Sequence, residues 1–548
     1  MIWWYPNVVE VVVAPKERFW SKKRPDEAFD VIVVGSGMGG MTTAALLSKL
    51  GKKVLVLEQH YVPGGFTHTF RRKGYEWDVG VHAVGEVTTH SLPGRILHSI
   101  TDGRLKWASL GSPYEEFYYP DDVRIDYPDH PQKFKDTLNA QFPEEGEAIE
   151  KYFSMVNEVI RSMKGYYLSR VTPKSWSGIT EWAFAKKAKH FLSLRTQDVI
   201  ESLTDNPQLQ SIFSAQWGYY GSIPKESSFA MQALVVKHFS HGGYYPEGGS
   251  ESIARELLRT VSNAGGHTQI CASVAEIIVE GNKAVGVRMD DGSEVRAPQV
   301  ISAAGVMATM DRLLPKFVQD SSWVKEAQSN IRPAPAHVCL YLGFKGDIRE
   351  CGASSANKWF WSSWETNANS WDISDLDNLP ECPILYCSFP SLKDPLYDPG
   401  PDCRHTGEVV TFVPFEMFEK WSGTPWRKRG DDYLAMKKKI EDSMLEQFLG
   451  HMPELRPFLD YVELSTPLST EYFCRPMAGS IYGIEPTPER FDNPWIRPNP
   501  PVKNLYFSGS EVASVGVIGA MMGGVLAAVA AEPFAGFQYI RGAMQKKG

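Results

Sequence analysis

The apolar, β-branched run Val31-Ile32-Val33-Val34 passes with no spacer into Gly35-Ser36-Gly37-Met38-Gly39-Gly40. Such a run suits a strand buried on both faces, as in a parallel sheet. Residues 41–50 are rich in Ala and Leu and stop at Gly51, which reads as a helix. Residues 53–57 are a second apolar strand, closed by Glu58. This strand–turn–helix–strand order turns a weak glycine pattern into a dinucleotide-binding one. Gly35 permits the tight turn, Gly37 lets backbone approach a pyrophosphate, and Gly40 lets the helix pack closely on the strand. The helix start then offers free N–H groups and a positive dipole end to phosphates. Glu58 is placed to accept hydrogen bonds from ribose hydroxyls and would repel a 2′-phosphate, so FAD or NAD is expected and NADP is not.

The same grammar returns twice. Residues 250–264 read as a helix, with Ile253, Leu257, Leu258 and Val261 on one face, ended by Gly265-Gly266. Strand-like runs come next at 269–278, 284–289 and 294–303, the last two joined by the turn Asp290-Asp291-Gly292. Residues 505–507, followed by Gly509, form the third block. The intervening stretches are rich in aromatics, Pro and charge. The expected architecture is therefore α/β. Residues 28–90, 242–335 and 475–548 make a Rossmann-like nucleotide-binding domain, and 91–241 with 336–474 make an inserted mixed α+β substrate domain.

Charge and cysteine content narrow the function. Lys and Arg number 57 against 65 Asp and Glu, a net −8 that argues against general nucleic-acid binding. The seven cysteines are widely spaced with no CxxC pair, so neither a metal site nor a disulfide framework is expected. Residues 2–14 are apolar but too short to span a bilayer and lack signal-peptide flanks, which leaves a first strand or an interfacial anchor. Residues 512–531 carry no charge, yet Gly516, Gly519, Gly523 and Gly524 favour a closely packed buried helix over a membrane span.

The segments after Glu58 separate FAD from NAD. Pro63-Gly64-Gly65 allows another close backbone approach to an extended cofactor. Ser508-Gly509-Ser510-Glu511 lies between a strand and the apolar tail, a second turn that aims a helix dipole at a second negative group such as a flavin carbonyl. No second GxGxxG occurs, so one dinucleotide is expected.

At residues 30–90 the chain resembles the phytoene desaturase-like FAD oxidoreductases, of the glutathione reductase and amine oxidase fold type. Within them it looks most like the retinol saturase and carotenoid isomerase branch. The residues carrying this are Val33-Val34-Gly35-Ser36-Gly37-Met38-Gly39-Gly40, Leu57-Glu58-Gln59-His60, Pro63-Gly64-Gly65 and Trp77-Asp78-Val79-Gly80-Val81-His82. Tyr245-Pro246-Glu247-Gly248-Gly249, the stretch from Tyr482 to Arg490, and that from Asn504 to Glu511 agree with it. The resemblance implies non-covalent FAD and a lipophilic polyene substrate. It also implies chemistry at a C=C bond, with saturation ahead of isomerisation or desaturation.

Carried over by position, Gly35, Gly37, Met38, Gly39 and Gly40 hold the pyrophosphate. Glu58 and Gln59 meet the adenosine ribose, Gly64 and Gly65 support that turn, and Val274 meets the adenine. Gly305, Gly509 and Glu511 face the ribityl–phosphate region, and Gly516 and Val517 border the flavin. The family often has Asp at position 511, so the contact of the longer Glu511 is open. For the proton that C=C chemistry requires, His82 is the first candidate, with Tyr245 and Tyr482 next and Tyr244 and Glu86 behind them. Other readings on the same fold are a non-catalytic prenyl-lipid carrier, like the inhibitors that escort prenylated GTPases, and an amine oxidase. The aromatic–basic stretch 176–195 suggests an ordinary half-buried helix or peripheral contact with a membrane from the cytoplasmic side. The cluster Trp359, Phe360, Trp361, Trp364 and Trp371 suggests a polyene tunnel or core. The electron donor is not indicated.

Overall fold

The computed structural model describes residues 17–171, 185–368 and 370–545. Residues 2–14, and Trp176, Trp182 and Phe184 of the aromatic–basic stretch, lie outside the described residues.

A five-stranded parallel sheet carries the first glycine turn. Strand β1 (Val31–Val34) sits at its centre, paired in register with Val54–Leu57 on one side and Gln299–Ser302 on the other. Leu505–Phe507 and His267–Gln269 form the edges. Each of the three separated blocks thus contributes strands to one sheet. Helix α1 (Met38–Lys49) starts three residues before the expected position, because the glycine turn itself enters the helix.

The uncharged tail forms a second helix, α2 (Gly516–Ala531), which packs along α1. Glycine makes this contact: a Cβ on Gly524 would fall 2.4 Å from the Gly39 carbonyl oxygen. Between the helices, the Thr43 hydroxyl lies 2.9 Å from the Ser508 hydroxyl and donates to the Gly524 carbonyl at 3.0 Å. Hence α2 is buried against protein. Among the described residues no helix is long and apolar enough to cross a membrane.

Two runs that look continuous in sequence are broken. The run 269–278 ends its parallel strand at Gln269, turns at Cys271, and restarts at Val274 as the first strand of a separate antiparallel sheet. The run 294–303 divides at Pro298 into a hairpin strand (Glu294–Arg296) and the parallel strand Gln299–Ser302. Proline lacks the N–H a ladder needs, so the chain changes sheets there. The hairpin at Asp290-Asp291-Gly292 forms as expected.

A seven-stranded mixed sheet takes strands from both insertions. Its joint is the parallel pairing of Glu115–Tyr118 with Asn357–Trp361. The aromatic run on the second strand splits by face. Trp359 and Trp361 join one core with Phe117, Tyr127 and Trp217, whereas Phe360 joins another with Trp371. Alternation along the strand decides this split.

Candidate active site

The two glycine turns and the mixed sheet border one cavity of about 820 Å³. At one end its wall is backbone. The N-terminus of α1 has no side-chain cap, and neither has that of α2, so both helix starts face the cavity with their N–H groups. Added Cβ atoms on Gly37, Gly509 and Gly516 would meet nothing within 4 Å. All three border the cavity, so that space is open to a ligand lying against bare backbone. Gly64 and Gly40 are not on the wall. Gly64 donates its N–H to the Ser36 carbonyl at 3.1 Å, and a Cβ on Gly40 would fall 2.1 Å from the Gly35 carbonyl oxygen. Both hold the turn rather than touch its contents. Gly35, Met38, Gly39, Gln59, Gly65, Val274, Gly305 and Val517 do line the cavity.

Glu58 reaches the wall with its carboxylate already oriented. Oε2 accepts from the Ser36 N–H at 2.9 Å and the Ser36 hydroxyl at 2.6 Å, and Oε1 accepts from the His60 N–H at 2.7 Å. Burial raises its pKa, and these bonds oppose the rise. Oε2 is thereby filled, while Oε1 keeps acceptor capacity. Glu511 also lines the cavity. Its Oε2 accepts from the N–H groups of Val306 at 2.6 Å and Met307 at 3.0 Å. It caps the short helix Val306–Ala308, whose free N–H groups draw the carboxylate inward.

The opposite end is built from side chains. Tyr219, Trp359, Tyr386, His82, His337 and Tyr482 line it. The His82 ring meets Tyr386 edge-on, with centroids 5.1 Å apart. Behind this wall lies a buried cluster of ionisable groups. Lys393, buried, donates through Nζ to Asn357 Oδ1 at 2.5 Å, Ser388 Oγ at 2.6 Å and the His82 carbonyl at 2.7 Å. Glu408 accepts the Asp78 N–H at 2.8 Å, and its Oε2 lies 2.9 Å from His82 Nδ1 without hydrogen-bond alignment. Asp78 accepts from the hydroxyls of Tyr245 and Ser250. Glu115 accepts from the Tyr219 hydroxyl, from Asn357 Nδ2 at 3.2 Å and from Trp359 Nε1 at 2.9 Å.

Burial sets the protonation of this cluster. It pushes Glu115 and Glu408 up to about 8 and Asp78 up to about 7. It brings Lys393 down to about 7, and it lowers His82 to about 3 with help from the Lys393 charge. Three carboxyls facing one ammonium away from water cannot all ionise near neutral pH.

Residues 38–395, more than half of the chain, match the family described as flavin containing amine oxidoreductase. The chain belongs to that family. An all-trans-retinol 13,14-reductase of Danio rerio is 32% identical over 529 residues, covering 93% of this chain and 86% of the relative. A Danio rerio protein named an inactive all-trans-retinol 13,14-reductase is 30% identical over 535 residues, covering 94% and 87%. A prolycopene isomerase of an Oncidium hybrid cultivar is 25% identical over 500 residues, covering 88% and 80%. A solved putrescine oxidase structure superposes with a TM-score of 0.59 at 16% identity, covering 92% of this chain and 98% of its own. That last likeness carries the fold alone. The motif resemblance to retinol saturases and carotenoid isomerases therefore extends along nearly the whole chain.

Family members share the fold, so the candidate proton donors stand on this chain's own geometry. His82, the first candidate, is on the wall, and burial lowers its pKa to about 3. Tyr482 is on the wall with its hydroxyl donated to the Gly218 carbonyl at 2.8 Å. Tyr245 is not on the wall; its hydroxyl is turned away toward Asp78. Glu86 lines the cavity, with its pKa raised by burial, and Lys237 stands 3.8 Å from its carboxylate. Tyr244 lies outside the cavity lining. Tyr219, Glu115, Lys393 and Glu408 were not anticipated from sequence. For Glu115 and Glu408 the signal is a charge inside an aromatic or apolar strand, as in Tyr114-Glu115-Glu116-Phe117 and Glu408-Val409-Val410, whereas Tyr219 and Lys393 lie outside strands and carry no such signal.

Proposed function

We propose that this chain binds one FAD non-covalently and saturates a C=C bond of a retinoid- or carotenoid-like polyene. One observation carries the reading: a single cavity joins an open, backbone-walled end to an apolar and aromatic end. Gly35, Gly37, Met38 and Gly39 would hold the pyrophosphate, with Glu58 at the adenosine ribose, Gly509 at the ribityl–phosphate region, and Gly516 and Val517 beside the ring system. Glycines that leave open space against bare helix starts fit such a group. The chemistry a reduced flavin supplies is a hydride to one alkene carbon. The protein's own part is to orient the polyene, exclude water and deliver a proton to the other carbon. Leu92, Pro93, Ile160, Met163 and Leu234, also on the cavity wall, suit a lipophilic chain. On this reading residues 28–90, 242–335 and 475–548 hold the cofactor, and 91–241 with 336–474 hold the substrate. The substrate class is supported by the all-trans-retinol 13,14-reductases, which match over more than nine-tenths of this chain.

The test is anaerobic incubation of the purified, dithionite-reduced protein with all-trans-retinol, followed by mass spectrometry. A product heavier by two hydrogens is expected. A product of unchanged mass and altered double-bond geometry would replace saturation with isomerisation. A protein that carries no flavin but retains lipid would replace catalysis with transport.

A further inference from the structure

We propose that Tyr219 is the acid that protonates the polyene, and that Glu115 behind it restores its proton. This deepens the reading above and rests on it.

Among the polar groups on the aromatic wall, Tyr219 alone of those described hands its hydroxyl directly to a buried carboxyl, Glu115 Oε1. Glu115 has no solvent exposure. Its other oxygen is fixed by the Trp359 indole N–H at 2.9 Å, and Trp359 also stands on the wall. Asn357 Nδ2 donates both to Glu115 Oε1 at 3.2 Å and to the Tyr219 oxygen at 3.3 Å. On its far side, Asn357 Oδ1 accepts from Lys393 Nζ at 2.5 Å. An unbroken hydrogen-bonded line therefore runs from the cavity through Tyr219, Glu115 and Asn357 to Lys393.

Charge decides which way protons sit along that line. One ammonium cannot balance the carboxyls of Glu115, Glu408 and Asp78, all three buried, so part of the cluster stays protonated. When Glu115 carries a proton, its short contact with Tyr219 reverses: the carboxyl donates to the phenol oxygen, and the phenol hydrogen is freed toward the cavity. His82 is held neutral, Tyr482 donates its hydrogen to a backbone carbonyl, and Tyr245 does not reach the cavity.

The hydride that forms one new C–H bond comes from a reduced flavin, the two-electron reductant. The alkene π pair forms the second C–H bond with the Tyr219 proton. The phenol oxygen takes the Glu115 proton, and the negative charge left on Glu115 faces the Lys393 ammonium across Asn357. Uptake of one proton from solvent resets the cluster.

Tyr219→Phe and Glu115→Gln test this in the flavin-loaded protein. Single-turnover oxidation of the reduced protein by all-trans-retinol should slow about a hundredfold or more in Tyr219→Phe, the usual scale for a lost general acid. Flavin occupancy and retinol affinity should stay within about threefold of wild type, since a phenyl ring keeps the wall intact. Glu115 is a positioning residue, so its readout is spectroscopic. At neutral pH the infrared difference between wild type and Glu115→Gln should show a protonated-carboxyl stretch that shifts in D2O, and Tyr219→Phe should move that band. A Tyr219→Phe protein that turns over at the wild-type rate overturns the proposal, as does the absence of the Glu115 band. A wild-type protein that holds flavin but never reduces retinol refutes the proposed function instead.

Discussion

The two ends of the cavity are made of different materials. The nucleotide end is backbone: glycine turns, uncapped helix starts and one carboxylate held by neighbouring N–H groups. The far end is side chain: aromatic rings over a buried set of carboxyls and a lysine. A backbone surface tolerates almost any change except added bulk, whereas a buried ionisable set is sensitive to every change in charge. The first end can bind a cofactor with little local chemistry of its own; the second can hold and move a proton.

Substitutions at two glycines should sharpen that contrast most. Gly40→Ala places a Cβ 2.1 Å from the Gly35 carbonyl oxygen, so both the turn and its helix must shift. We expect loss of flavin together with destabilisation of about 3 kcal/mol or more, read by thermal unfolding of the flavin-free protein. Gly37→Ala meets nothing in the protein itself. It should leave that unfolding temperature unchanged while flavin retention, measured by absorbance ratio, falls sharply. If the two variants behave alike, the open space at Gly37 is not a cofactor cradle.

At the other end, Lys393→Met removes a cation that makes three hydrogen bonds. A destabilisation of about 3 kcal/mol in urea unfolding is expected, because buried acceptors lose their donor. A neutral result would mean that the cluster is wetter than its burial implies.

The smallest effect is one of pH. Glu115 is raised in the folded protein from its ordinary 4.5 to about 8. Its contribution to stability is full below about pH 4.5 and is lost as pH rises through about 8. Glutamine has no such loss. Glu115→Gln should therefore gain on wild type by a few degrees in unfolding temperature as pH rises across that window. Lys393 is shifted the opposite way, but it is present in both proteins and largely cancels in the difference. A constant offset across the same pH range would count against a protonated Glu115.

The contrast also explains what could be read in advance. The turn at Gly35–Gly40 depends on residues adjacent in the chain, and the helix and strands around it arise from local pattern, so its place beside Glu58 was legible. The buried tail helix was legible too, because glycines in an uncharged segment indicate close packing. Tyr219 and Glu115 were not. Glu115 meets Asn357 and Trp359 only because Glu115–Tyr118 pairs in parallel with a strand from the other insertion. Tyr245, a second-rank candidate beside a packing role, turns its hydroxyl to Asp78.

By itself, then, the sequence determined the glycine turns, the strands and helices beside them and the family to which the chain belongs, since backbone conformation answers to neighbouring residues. Tertiary structure alone decided which carboxyls share Lys393 and which phenol stands before them. Protonation in a dry interior depends on charges brought together from distant segments, and local pattern carries no record of that meeting.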